Sequence, residues 1–259
     1  MGPAVQIDPL PLADALAQAE RERRPIPKLV DRCPDLDVST AYEIQRLGHE
    51  RRVAAGAQPI GYKLGLTSRA KQLAMGVGEP LWGLLTSDLL LAEDEPLDLG
   101  RLIHPRVEPE LAFVLGEDIS GPTATVGSVL AATRGVIPAL EVLDSRYEGF
   151  EFTLPDVVAD NASAAGVVFG GRMLAPDAFD PQLEGMVLRR DGEVVDTAAG
   201  AAVSGHPAAA VTWLARAAGS LAAGSIVLTG GLTAPVALTP GGVVSAEYTH
   251  LGSVRLRSA

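Results

Sequence analysis

Glu108 and Glu110 stand two residues apart in Arg106-Val107-Glu108-Pro109-Glu110-Leu111-Ala112-Phe113-Val114-Leu115, a stretch that reads as a strand entering an apolar core. Side chains alternate faces along a strand, so both carboxylates point the same way. Two like charges on a face that loses water repel each other, and they need a proton, a basic partner or a cation. A third carboxylate, Glu141, lies within another apolar run, Val136 to Leu143. Three carboxylates on apolar strands fit a hard divalent cation held by oxygen ligands. A pair of glutamates on a solvated sheet face fits the same spacing, and the residues alone leave both readings open.

Four further groups carry chemistry-bearing side chains. Lys63 sits inside the apolar strand Ile60 to Thr67, either as an edge residue snorkelling to water or as a buried group tuned by its neighbours. Arg146 and Tyr147 follow Glu141 where its strand should end, a common place for substrate contacts; a loop salt bridge is the plainer reading. Asp160-Asn161-Ala162-Ser163 reads as a turn cap or as a hydrogen-bonding pocket wall containing Ser163. Gly230-Gly231-Leu232-Thr233 follows the strand Ser225 to Thr229 and offers backbone N–H groups to an anion such as a substrate carboxylate. Phosphate-loop, dinucleotide and Gly-x-Ser-x-Gly signatures are missing from the sequence. The four histidines (His49, His104, His206, His250) are scattered and give no zinc spacing.

The elements that must position these groups follow from periodicity and punctuation. A helix is expected from Leu10 to Arg24, stopped by Pro25-Ile26-Pro27. A second runs from Thr40, with Glu43 at capping-box spacing, to Ala55-Gly56. Ser68 caps a short helix, Arg69 to Met75, which Gly76 closes. Another short helix, Val126 to Arg134, ends at Gly135, and the Glu141 strand follows at once. Asp144 to Asn161 reads as irregular. Asp191-Gly192 marks a hairpin between Met186–Arg190 and Glu193–Thr197. His206-Pro207 opens a helix to Ala218, and two strands, Val243–Tyr248 and Ser253–Leu256, close the chain. Strands in clusters with occasional helices fit an α+β fold better than regular βαβ winding. The division expected is an N-terminal helical cap, residues 1–57, and a mixed-β catalytic domain, residues 58–259.

Composition limits the partners. The 259 residues suffice for a sizeable core, which must be aliphatic because aromatics are only 4%. A formal net charge of −11 argues against nucleic acid and gives no support for docking on anionic membranes. The lone cysteine, Cys33, excludes an internal disulfide. No apolar run approaches the ~18 residues that span a bilayer, and the first residues lack a secretory pattern, so a cytoplasmic protein is expected.

Several stretches together resemble the family of 2-hydroxypenta-2,4-dienoate hydratases and 2-oxohex-3-enedioate (4-oxalocrotonate) decarboxylases, within the fumarylacetoacetate hydrolase superfamily. They are Gly61-Tyr62-Lys63-Leu64-Gly65-Leu66-Thr67-Ser68, Gly76-Val77-Gly78-Glu79-Pro80, His104 to Val114, Pro138 to Tyr147, Asp160-Asn161-Ala162-Ser163, Gly200 to Pro207 and Leu228 to Thr233. The resemblance implies a mixed β roll with an N-terminal helical portion. It implies a metal site at Glu108, Glu110 and Glu141 for Mg²⁺ or Mn²⁺, a catalytic Lys63, and a small 2-oxo acid substrate. Arg146, Tyr147, Ser163, Thr229 and Gly230 are the expected substrate contacts. Asp144 to Asn161, His104-Pro105 and Gly205-His206-Pro207 look like the decarboxylase form, which makes decarboxylation in aromatic meta-cleavage catabolism the expected reaction. The hydratase is the alternative, followed by an acylpyruvate-type C–C hydrolase or a non-catalytic partner subunit. A homo-oligomer is expected, and association with the partner hydratase is compatible with it.

Overall fold

Residues 7–259 are described by the computed structural model. Three helices come first, α1 (Pro9–Glu22), α2 (Leu29–Arg32) and α3 (Val38–Ala54). The capping box expected at Thr40 and Glu43 is corrected. Asp37 caps α3 by accepting from Thr40 N, while Glu43 turns to Arg46 one turn on. An aspartate with extended backbone just before the helix reaches the free N–H groups first.

The remaining elements are β1 (Pro59–Gly65), α4 (Arg69–Met75), β2 (Leu81–Thr86), β3 (Arg106–Leu115), β4 (Ile119–Ser120), α5 (Val126–Ala132), β5 (Thr133–Leu143) and α6 (Leu154–Ala159). Then come β6 (Ala164–Phe169), β7 (Gly185–Arg190), β8 (Glu193–Ala199), α7 (Pro207–Ala218), β9 (Ser220–Leu221), β10 (Ile226–Leu228), β11 (Val236–Ala237), β12 (Val243–Tyr248) and β13 (Gly252–Arg257). Two expectations change here. The stretch expected to be irregular contains α6, with Pro155 in its first turn and a capping box between Thr153 and Asp156. Helix α5 stops at Ala132, and Thr133 to Gly135 already belong to β5. The hairpin at Asp191-Gly192 forms as expected, with both residues at positive φ (53° and 87°), as a tight two-residue turn requires.

The central sheet has the order β2-β1-β10-β3-β5-β6, with β11 added beside the start of β3. It is mixed, because β1 and β10 run parallel and the other pairs antiparallel. A second sheet, β13-β12-β7-β8, is wholly antiparallel. The main core is shared by this second sheet, helices α5 and α7, and one face of the central sheet. A separate cluster joins α1, α2 and α3 to α6 and Tyr147. This is the α+β mixed β roll with an N-terminal helical portion that the sequence leads one to expect.

Alternation along β3 decides where the carboxylates go. Val107, Leu111, Phe113 and Leu115 enter the main core, so Glu108 and Glu110 face the other side. Burying each of those apolar side chains contributes about 1.5–3 kcal/mol. A slip of one residue would exchange them for the two glutamates, so the register is strongly fixed. On β5, Val136, Leu140 and Val142 enter the same core, which sends Glu141 to the carboxylate face. The antiparallel pairing sets Glu108 directly opposite Glu141, and Glu110 opposite Ala139.

Pro109 would ordinarily damage a central strand, since it donates no backbone hydrogen bond. Here it falls in the gap between β10, which pairs with residues 112–114, and β11, which pairs with 106–107. Its carbonyl instead accepts from Leu232 N at 2.9 Å. The gap lets the Gly230-Gly231 segment cross close against the carboxylates.

Candidate metal centre

Glu110 and Glu141 are fully buried and Glu108 nearly so. Oxygen atoms of all three lie within 4.8 Å of one another. Burial, then the neighbouring Glu141 charge, pushes the Glu110 carboxyl well above the usual range, with Lys63 opposing. Burial raises Glu141 as well, again against Lys63. Glu110 Oε2 accepts from Gly230 N at 2.7 Å, but Glu110 Oε1 and both oxygens of Glu141 are buried without a hydrogen bond. Orphaned buried acceptors are costly. Three of them converging among carboxylates are the donor set that a hard divalent cation takes. The residues therefore fit Mg²⁺ or Mn²⁺.

Lys63 comes in from β1, two strands from β3, and is only 3% exposed. Its Nζ donates to Ala162 O at 2.9 Å and lies 3.0 Å from Glu141 Oε1. The Glu141 contact is off the hydrogen-bonding direction, so that oxygen keeps its lone pairs. Of the two readings of Lys63, the buried one holds, with Glu141 as its paired carboxylate. Glu108 has its own cation, Lys71 of α4, whose Nζ is 2.7 Å from Glu108 Oε1.

The carbonyl that receives Lys63 belongs to an unusual turn. Asn161, Ala162 and Ser163 all adopt left-handed backbone, with φ of 50°, 52° and 57°. Such conformations cost non-glycine residues about 1–2 kcal/mol each and persist where surroundings hold them. The Asn161 side chain provides the hold, donating to Leu84 O at 2.9 Å and accepting from Leu84 N at 2.7 Å. Gly83 makes room, because a Cβ there would lie 2.8 Å from Asn161 O.

The other side chains expected at the substrate make the following contacts within the protein. The Arg146 guanidinium pairs with Asp160 and donates to Asp160 O and Ala164 O. The Tyr147 ring is buried among the helices, with its hydroxyl donating to Asp156 O at 2.9 Å. Both side chains thus make their polar contacts within the fold, as a buried guanidinium must. Gly230 N–H donates to Glu110, and Thr229 Oγ1 donates to Leu111 O. Ser163 is buried, with its N–H on Asp160 O. Lys71 was missed, since helical punctuation at Ser68 and Gly76 locates α4 but does not say which face of it meets β3.

Gly231 gives a first prediction. A Cβ at this position would lie 2.2 Å from Glu108 Oε2 and 2.4 Å from its Cδ. Gly231→Ala should displace the Glu108 carboxylate and lower Mg²⁺ affinity by about 10–100-fold, as disturbance just behind a ligand commonly does. Isothermal titration with Mg²⁺ measures this, and an unchanged affinity would remove Glu108 from the ligand set.

Comparison with known proteins places this geometry. The fumarylacetoacetate (FAA) hydrolase C-terminal family matches residues 66–257. The chain is 42% identical over 252 residues, 96% of each chain, to a 4-oxalocrotonate decarboxylase of Pseudomonas sp. strain CF600. It is 41% identical over 247 residues, 94% of this chain and 92% of the relative, to a 2-keto-4-pentenoate hydratase of Paraburkholderia xenovorans strain LB400. Among solved structures, the 4-oxalocrotonate decarboxylase of Pseudomonas putida G7, complexed with magnesium and adipate, superposes with a TM-score of 0.94 at 39% identity over 97% of both chains. The buried glutamate face of β3 and β5 is therefore that of a member of the fumarylacetoacetate hydrolase family, to which this chain belongs.

Proposed function

We propose that the protein is a Mg²⁺- or Mn²⁺-dependent decarboxylase that converts 2-oxohex-3-enedioate (4-oxalocrotonate) to 2-hydroxypenta-2,4-dienoate and CO₂ in aromatic meta-cleavage catabolism. The observation that carries this reading is the near-complete superposition on a decarboxylase solved with magnesium and adipate. Adipate has the six carbons and two terminal carboxylates of the proposed substrate.

Glu108, Glu110 and Glu141 would hold the ion. When bound, the ion supplies electrophilic stabilisation of negative charge developing on the 2-oxo oxygen. In the reaction the C5–C6 bond breaks, its electron pair moves through the C3=C4 double bond to the C2 oxygen, and CO₂ leaves. The dienolate then takes one proton. An ammonium carries three N–H groups, and Lys63 Nζ donates one to Ala162 O while pairing by charge with Glu141. A remaining N–H would donate to the developing enolate oxygen and deliver that proton. Burial of Lys63, Glu110 and Glu141 excludes bulk water, which strengthens these electrostatic contacts.

The 41% identity to a 2-keto-4-pentenoate hydratase supports a second reading, in which the dienolate is protonated and water adds. The Mg²⁺ form, given each substrate separately, tells the two apart. CO₂ release from 2-oxohex-3-enedioate is the expected result. Loss of ultraviolet absorbance from 2-hydroxypenta-2,4-dienoate, with no CO₂ released from the first compound, would favour the hydratase. A homo-oligomer, alone or with the partner hydratase, belongs to the same proposal. The exposed Val194 and Val195 on the edge strand β8 support it, because such an edge invites pairing with another chain.

A further inference from the structure

We propose that Lys71 determines specificity by binding the distal carboxylate of a 2-oxo dicarboxylate, an inference that rests on the decarboxylase reading above. A dianionic substrate needs a second positive anchor beyond the metal centre. In a chain of net charge −11 such an anchor has to be placed locally. Three other cations around the site have different tasks. Arg146 is locked on Asp160 and two carbonyls. Lys63 lies at the floor, on Glu141 and Ala162 O. The Arg106 guanidinium covers the Phe150 ring, 4.0 Å from its centroid.

Lys71 differs from all three. Its side chain is 28% exposed while that of its partner Glu108 is 9%, so the ammonium sits at the solvent side of the carboxylate cluster. Glu108 Oε1 takes one of its three N–H directions, and two remain. The helix under it is held in place. Ser68 Oγ accepts from Lys71 N at 3.2 Å, Gln72 Nε2 donates to Leu66 O at 2.9 Å, and Gly76 closes α4 at φ 66°. Leu73 points outward, while Gln72 is buried and Lys71 half-buried against the protein. Lys63 and Lys71 thus bracket the three glutamates, one from within and one from the rim. Lys71 is therefore the cation placed to meet the far carboxylate of a substrate whose 2-oxo acid end is held at the cluster.

The test is ligand binding to the Mg²⁺-loaded protein by isothermal titration. The probes are 2-oxoadipate and 2-oxohexanoate, which match in length and differ only in the distal carboxylate. Neither has the conjugated double bond that decarboxylation needs, so turnover does not intrude. The wild type is expected to prefer 2-oxoadipate. Lys71→Met should reduce that preference about tenfold or more, the scale of one charge-assisted hydrogen bond. With both variants saturated with Mg²⁺, affinity for 2-oxohexanoate should change far less than that for 2-oxoadipate, and Lys71→Arg should keep the preference. An unchanged ratio in Lys71→Met would overturn the proposal. So would equal weakening of both probes and Mg²⁺, which would make Lys71 a support for Glu108 only. If the decarboxylase reading were wrong, the wild type would release no CO₂ from 2-oxohex-3-enedioate, whatever these affinities are.

Discussion

Replacing Glu110 with Gln is expected to cut metal-dependent turnover by about 10³-fold or more, and at the same time to make the metal-free protein more stable. The first effect follows from losing several kcal/mol of charge stabilisation, at about 1.4 kcal/mol per decade of rate. The second follows from linkage. Burial and Glu141 raise the folded-state carboxyl of Glu110 above its unfolded value. Ionising it therefore penalises the folded state, and the penalty grows as pH climbs from the unfolded value toward the folded one. Below that interval the group is protonated in both states and costs nothing. Gln keeps the shape and removes the charge. Mg²⁺ acts in the opposite sense, because it binds the deprotonated carboxylates and stabilises the fold by mass action. In the wild type the rise in Tm on adding Mg²⁺ should grow as pH climbs above the ordinary carboxylate range, because Glu110 and Glu141 then give up their protons more readily. In Glu110→Gln that rise should largely vanish. A variant that keeps both turnover and the Mg²⁺-dependent rise would remove Glu110 from the centre.

Lys63→Met carries the second large effect, and it separates chemistry from architecture. Turnover should fall by about 10²–10⁴-fold, the range of a positioned proton donor. The metal-free fold should lose about 3–5 kcal/mol, because removing one partner of a buried ion pair strands the other. The stranded group is Glu141, already raised by burial and held down by Lys63. Adding Glu141→Gln to Lys63→Met should restore much of the stability, measured by urea denaturation, and none of the activity. Full activity in Lys63→Met would mean that the proton comes from elsewhere. Failure of the double variant to regain stability would mean that Lys63 serves the fold through Ala162 O and not through Glu141.

The parts of the site that periodicity governs were readable in the sequence. Two-residue spacing put Glu108 and Glu110 on one face, and the apolar positions around Glu141 sent it to the same face once β3 and β5 paired. The parts governed by tertiary direction were not. Arg146 and Tyr147 follow the Glu141 strand closely, yet the chain turns there into the helical cluster, and both face Asp160 and Asp156. Three successive left-handed residues at Asn161, Ala162 and Ser163 have no glycine to announce them; the fold imposes them through Leu84. The pairing of Lys71 with Glu108, 37 residues apart, depends on how α4 leans on β3, which no local pattern encodes.

Glu108, Glu110 and Glu141 should share one divalent cation. Anomalous scattering from Mn²⁺-soaked crystals should show one strong peak among the three carboxylates, lost in Glu110→Gln. A peak elsewhere, or none in crystals of protein whose turnover depends on Mn²⁺, would contradict it.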